Sequence, residues 1–126
     1  MTKKNIFISG ASRGIGKSMA QHFAKSNFNV VGTSRNNFKF DNDLENLLPI
    51  KLDVTSRNDV KDCFDELKSK NLLPDILINN AGITADQLFL RMSDDDWDNV
   101  INTNLTGTFN LTKIFLKNMI KNKFGR

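Results

Sequence analysis

The sequence predicts an α/β fold built on a doubly wound parallel sheet, and three observations carry that expectation. Short apolar runs alternate with segments of helical periodicity. The run at residues 50–54 alternates Ile50, Leu52 and Val54 with Lys51 and Asp53, while in the runs at 5–9, 29–32 and 76–78 apolar residues fall at successive positions rather than at alternate ones. Such strands belong to sheets covered on both faces, where crossover helices join parallel neighbours. The first run ends in a glycine-rich turn that opens a helix, which is where doubly wound sheets bind their ligands.

Each element can be read in order. Residues 5–9 make the first strand. Ile15, Met19 and Phe23 then recur at helical spacing and predict a first helix with these residues inward. His22 falls on the same inner side and reads as a packing histidine. Residues 29–32 make the second strand. Residues 38–48 carry a weak, short helical pattern that Pro49 stops. Residues 50–54 make the third strand. Ser56 caps the next helix, with Asp59 three positions on. Val60, Cys63, Phe64 and Leu67 form its inner stripe, so Cys63 reads as inert core.

Pro74 precedes the fourth strand at 76–78, and a loop covers 79–92. Ser93 and Asp96 form a second capping pair, followed by one long helix over about 94–123. Its inner stripe is Trp97, Ile101, Leu105, Thr108, Thr112, Phe115 and Met119. The strand and helix order predicts the sheet order 3-2-1-4 within one domain spanning residues 1–126, without repeats or linkers.

Composition excludes several function classes. The 126 residues hold one Cys, one His and no Tyr. One Cys forms no internal disulfide, and one Cys with one His does not supply the usual zinc ligands. A Ser-His-Asp enzyme would have to use His22. No tyrosine means no phenol chemistry. No apolar run approaches the ~18 residues that span a bilayer, and the run after Lys4 is too short for a signal peptide. The expectation is a cytoplasmic protein without a membrane partner.

The net charge of +4 is unevenly spread. Lys113, Lys117, Lys121, Lys123 and Arg126 cluster near the end, while Asp94, Asp95, Asp96 and Asp98 cluster before them. This order complements a helix dipole. A docking face for an acidic partner is the alternative, with Lys121 and Lys123 as its candidates. Nucleic-acid binding is not expected, because the cations are not interleaved with exposed aromatics or a known motif.

The chemistry concentrates at the strand ends. Gly10-Ala11-Ser12-Arg13-Gly14-Ile15-Gly16 follows the first strand. Glycine serves where backbone turns sharply or approaches a phosphate, and the N–H groups of the helix that starts here attract an anion. The second strand ends Ser34-Arg35, where sites preferring a free ribose 2′-hydroxyl place an acid. Arg13 and Arg35 together suit a 2′-phosphate.

These residues resemble the short-chain dehydrogenase/reductase family, whose Gly-x-x-x-Gly-x-Gly spacing they share, with Ser9 in place of the commoner threonine. Leu52-Asp53-Val54 resembles the segment that holds adenine, with Asp53 on the amino group. Asn79-Asn80-Ala81-Gly82 resembles the motif after the fourth strand. Asn102-Thr103-Asn104-Leu105-Thr106-Gly107 resembles the segment that carries the catalytic asparagine, here Asn104. Within the family, Ile83-Thr84, Leu90-Arg91-Met92 and Asp96-Trp97-Asp98 are similar to the 3-oxoacyl-[acyl-carrier-protein] reductase subgroup.

The resemblance implies a Rossmann-type fold. It implies NADP(H) at Gly10, Ala11, Ser12, Arg13, Gly14, Ile15, Gly16, Arg35, Asp53, Val54, Asn80, Ala81 and Gly82. It implies NADPH-dependent reduction of a 3-oxoacyl thioester in fatty acid synthesis, with a small-molecule or carrier-bound substrate and a homotetrameric full-length form. Acetoacetyl-CoA reduction and non-catalytic NADP(H) binding are the alternatives. The family's catalytic Ser, Tyr and Lys are expected after Gly125-Arg126, so the chain is expected to be the N-terminal portion of the enzyme, truncated after the fourth strand and its following helix, and inactive alone.

Overall fold

The computed structural model describes residues 2–126. Four parallel strands lie in the order β3-β2-β1-β4, as expected. They are β1 (Asn5–Ile8), β2 (Asn29–Ser34), β3 (Leu47–Lys51) and β4 (Ile76–Ile78). Central β1 pairs Ile6 with Val30 on one side and with Ile76 on the other. Successive side chains of a strand point to opposite faces. Ile6 and Ile8 therefore pack with Ala20, Ala24 and Val30 beneath helix α1 (Gly14–Lys25). Phe7 packs on the other face with Val31, Cys63, Leu67, Leu111 and Phe115. Those last four come from α2 (Arg57–Ser69) and α4 (Gly107–Lys121). The Phe7 and Phe115 rings lie 5.0 Å apart at the centre of this layer.

Several expectations are corrected. The residues α1 buries fully are Gly16, Ala20 and Ala24; of the expected stripe, Met19 and Phe23 pack against the same core from its margin and Ile15 does not. Ile15 is 75% exposed, and the other two are half-buried. Small residues at four-residue spacing let the helix lie close on the sheet, so larger side chains are displaced to its flanks. His22 is exposed, standing edge-on to Phe23.

Residues 38–48 form no helix. Phe40 and Leu44 are drawn individually into the α1-side core, and Asn46 donates to the carbonyls of Ala24 and Phe28 at 2.8 and 2.7 Å. Pro49 does not stop a helix but lies within β3, opposite Gly32. β3 is an edge strand, where a missing N–H leaves no ladder bond unmade. The third strand accordingly starts three residues earlier than its apolar run and ends at Lys51.

The long helix is divided. Helix α3 (Asp94–Ile101) meets α4 through a π-helical turn at Asn102–Thr106. Trp97 and Leu105 are exposed rather than inward, whereas Phe115 is fully buried. Both predicted caps form: Ser56 Oγ accepts from Asp59 N at 3.2 Å, and Ser93 Oγ from Asp96 N at 3.0 Å. No helix among the described residues is long and apolar enough to cross a membrane.

Candidate functional site

The C-terminal ends of β1, β2 and β4 open onto one cleft of about 430 Å³. The turn after β1 forms its floor. Gly10 (φ +69°) and Gly14 (φ +59°) both adopt left-handed backbone, which a side chain would strain. Ala11 N donates to Thr33 O at 2.8 Å, tying the turn to the end of β2. Ser9 Oγ accepts from both Asn80 N (3.1 Å) and Ala81 N (2.9 Å), and Asn80 Nδ2 donates to Gly10 O at 3.0 Å. One buried serine and one amide thus lock the glycine turn to the loop after β4.

Helix α1 starts at Gly14 with no side chain capping its first N–H groups and no acid in its first turn. Such a terminus carries positive potential and free donors. Arg13 and Arg35 both line the cleft, and no carboxylate does. Thr33, lining the same cleft, has a buried Oγ1 without a hydrogen-bond partner among the described residues. An uncapped helix N-terminus, two guanidiniums and no competing acid suit a phosphorylated anion.

Of the predicted positions, Gly10, Ser12, Arg13, Arg35, Val54, Asn80, Ala81 and Gly82 line the cleft, and the others do not. Ala11 is fully buried beneath it. Gly14 and Ile15 stand exposed at the helix start. Gly16 has a packing reason: a Cβ there would overlap the Gly10 carbonyl oxygen. Asp53 Oδ1 accepts from Thr55 N at 2.9 Å and Thr55 Oγ1 at 2.7 Å, so one carboxylate oxygen is committed to its own turn.

Asn104 sits in the π-turn and reaches the cleft only through Ile83. Its Oδ1 accepts from Ile83 N at 2.8 Å, and its Nδ2 donates to Ile83 O at 2.9 Å. The π-turn orients this amide, and such turns recur at functional sites. Thr33, Asn36 and Thr103 also line the cleft and were not singled out in the sequence. Thr33 and Asn36 flank Ser34-Arg35 closely enough that neighbourhood alone was a signal. Thr103 stands beside Asn104 in the same motif, and the π-turn brings it to the cleft.

Off this site, Cys63 is buried, and desolvation first, then the nearby Glu66 charge, pushes its thiol up to about 12. It is a core residue, not a nucleophile.

Comparison with known proteins adds to this geometry. The sequence family described as short chain dehydrogenase matches residues 4–126. The 3-oxoacyl-[acyl-carrier-protein] reductase FabG of Buchnera aphidicola subsp. Baizongia pistaciae is 41% identical over 130 residues, covering 99% of this chain and 53% of that protein. Among solved structures, ElxO with NADP bound superposes with a TM-score of 0.89 at 36% identity, covering 98% of this chain and 53% of ElxO. The 4-hydroxyisoleucine dehydrogenase complexed with NADH gives 0.85 at 34% identity, covering 97% and 52%. The chain spans about half the length of the curated relatives it matches.

Proposed function

The chain belongs to the short-chain dehydrogenase family, and on that premise we propose that it binds NADP(H) for an enzyme that reduces 3-oxoacyl thioesters. The cofactor, when bound, supplies the hydride. Arg13 and Arg35 hold the ribose 2′-phosphate. The uncapped start of α1, with Gly10, Ala11, Ser12, Gly14, Ile15 and Gly16 shaping the turn around it, receives the pyrophosphate. Val54 lines the adenine end of the cleft, and Asp53, outside the lining, keeps only its second carboxylate oxygen for the adenine amino group. Asn80, Ala81 and Gly82 form the opposite wall.

Asn104 is the proposed catalytic member. Its side-chain amide spends one N–H and one oxygen lone pair on the Ile83 backbone and keeps the others for a water of the proton relay, and its backbone carbonyl accepts from Thr108 Oγ1 at 3.0 Å. The substrate is a 3-oxoacyl group on acyl-carrier protein, as the FabG relatives act on, or on coenzyme A. Turnover uses the family's Ser, Tyr and Lys in addition to the residues of this chain. The intact glycine turn at the start of α1 supports a second reading for the chain by itself: cofactor binding without turnover.

The observation that carries the reading is the pair Arg13 and Arg35 in a cleft without a carboxylate. Calorimetric titration with 2′,5′-ADP and 5′-AMP tests it. The 2′-phosphate is expected to strengthen binding about tenfold or more through charge-assisted hydrogen bonds, and Arg35→Ala is expected to erase most of that gain. Equal affinity for the two nucleotides removes the NADP(H) preference, and no binding of either removes the dinucleotide site.

A further inference from the structure

The buried polar side chains of the described residues are those of Ser9, Thr33, Thr103 and Asn110. Ser9 Oγ accepts two backbone N–H groups. Asn110 Nδ2 donates to Val54 O at 2.9 Å, and its Oδ1 accepts from Arg57 Nε at 3.5 Å. Thr33 Oγ1 differs: among the described residues it is the one buried side-chain polar atom without a hydrogen-bond partner. A buried hydroxyl left unpaired costs stability. Valine has the same branched shape and favours strands as well, so neither packing nor strand formation calls for the hydroxyl.

The position of Thr33 points to what it serves. Successive side chains of β2 face opposite ways. A Cβ on Gly32 would meet Phe40 and Ala11, on the α1 side. Thr33 therefore shares the other face with Val31, which packs with Phe7, Leu52 and Val54. Thr33, Leu52, Val54 and Ala81 all line the cleft. Apart from the Thr33 hydroxyl, these side chains are apolar.

A phosphate does not suit that wall. Desolvating its charge against aliphatic groups is costly, and the open start of α1 packs on the opposite face of the sheet. A flat heterocycle suits it: its faces lie on apolar side chains while its edge takes one directed hydrogen bond. A χ1 step between staggered wells re-aims a threonine hydroxyl without moving its strand. We propose that Thr33 recognises the base of the bound nucleotide, its Oγ1–H donating to a ring nitrogen. This role rests on the dinucleotide reading of the cleft and adds to it the hydroxyl that selects the base.

Calorimetric titration of the 126-residue chain with 5′-AMP and with ribose 5-phosphate, which lacks the base, tests the proposal. Thr33→Val is expected to weaken 5′-AMP about fivefold or more and to leave ribose 5-phosphate unchanged. Thr33→Ser, which restores the hydroxyl, is expected to recover most of the loss. The ratio of 2′,5′-ADP to 5′-AMP affinity is expected to stay the same in Thr33→Val, unlike in Arg35→Ala. The ligand-free Thr33→Val chain is expected to melt about 3 °C higher, because it no longer buries an unpaired hydroxyl. A lower melting temperature would show that the hydroxyl is already partnered in the free chain and would overturn the proposal. So would equal weakening of 5′-AMP and ribose 5-phosphate, or no recovery in Thr33→Ser. Wild-type binding of 5′-AMP that Thr33→Val leaves unaltered overturns the role of Thr33 alone. Wild type that binds neither nucleotide overturns the dinucleotide reading and this role with it.

Discussion

Gly16 and Cys63 show how single residues act here without touching a ligand. A Cβ on Gly16 would overlap the Gly10 carbonyl oxygen and come within 2.5 Å of Asn80 Nδ2, where the neighbours are backbone and a short amide that cannot swing away. Gly16→Ala is therefore expected to cost about 3 kcal/mol in a urea melt, the upper range for overpacking. Gly82→Ala meets its nearest neighbour, Asn104 Oδ1, only at 3.4 Å and is expected to cost far less. Cys63 gives a pH dependence. Its folded value is raised from 9.0 to about 12, so the neutral thiol's contribution is complete below pH 9. That contribution is lost as the pH rises from 9 towards 12, because the unfolded chain releases its proton first. The wild type is expected to lose about 1 kcal/mol more than Cys63→Ala between pH 8 and pH 10, read from urea midpoints. Equal losses would show that the thiol is not desolvated.

At the scale of elements, the loop after β4 is held from two sides. Ser9 grips its start, and Asn104 grips Ile83 through both atoms of one amide. Asn104→Ala removes the second grip alone and is expected to cost about 1–2 kcal/mol, the net worth of two hydrogen bonds. Hydrogen exchange should quicken from Gly82 through the loop while the amides of β1 and β2 keep their protection; uniform quickening would assign Asn104 a global role instead. The π-turn is what makes this grip possible. It interrupts the helical ladder between α3 and α4 and lets Gly107 pack against Val54, whose Cγ2 lies 2.6 Å from where a Cβ would stand.

At the scale of the whole molecule, surface composition governs behaviour in solution. Leu88, Phe89 and Leu90 are consecutive and at least 70% exposed, and Trp97 and Leu105 are more than half exposed. The outer edge of β4 carries only the backbone of Arg126, whose O accepts from Leu77 N at 2.8 Å. Exposed apolar surface and an open strand edge both promote association. The 126-residue chain by itself is expected to self-associate at tens of micromolar in sedimentation velocity, and Phe89→Ser/Leu90→Ser to reduce it. A single sharp monomer boundary would contradict this. The sequence by itself determined that four strands exist, their order, both serine caps and the glycine turn, because apolar runs and short-range capping patterns record burial and hydrogen bonding directly, but it misplaced the ends of the third strand. Only the tertiary structure decided that residues 38–46 stay irregular, that Pro49 enters an edge strand, that α1 packs through glycine and alanine, and that a π-turn splits the last helix. Each depends on how closely a distant segment approaches: Phe40 on Gly32, Val54 on Gly107, Gly10 on Gly16. Periodicity along one chain counts apolar positions, and carries no measure of the distance at which another element will meet them.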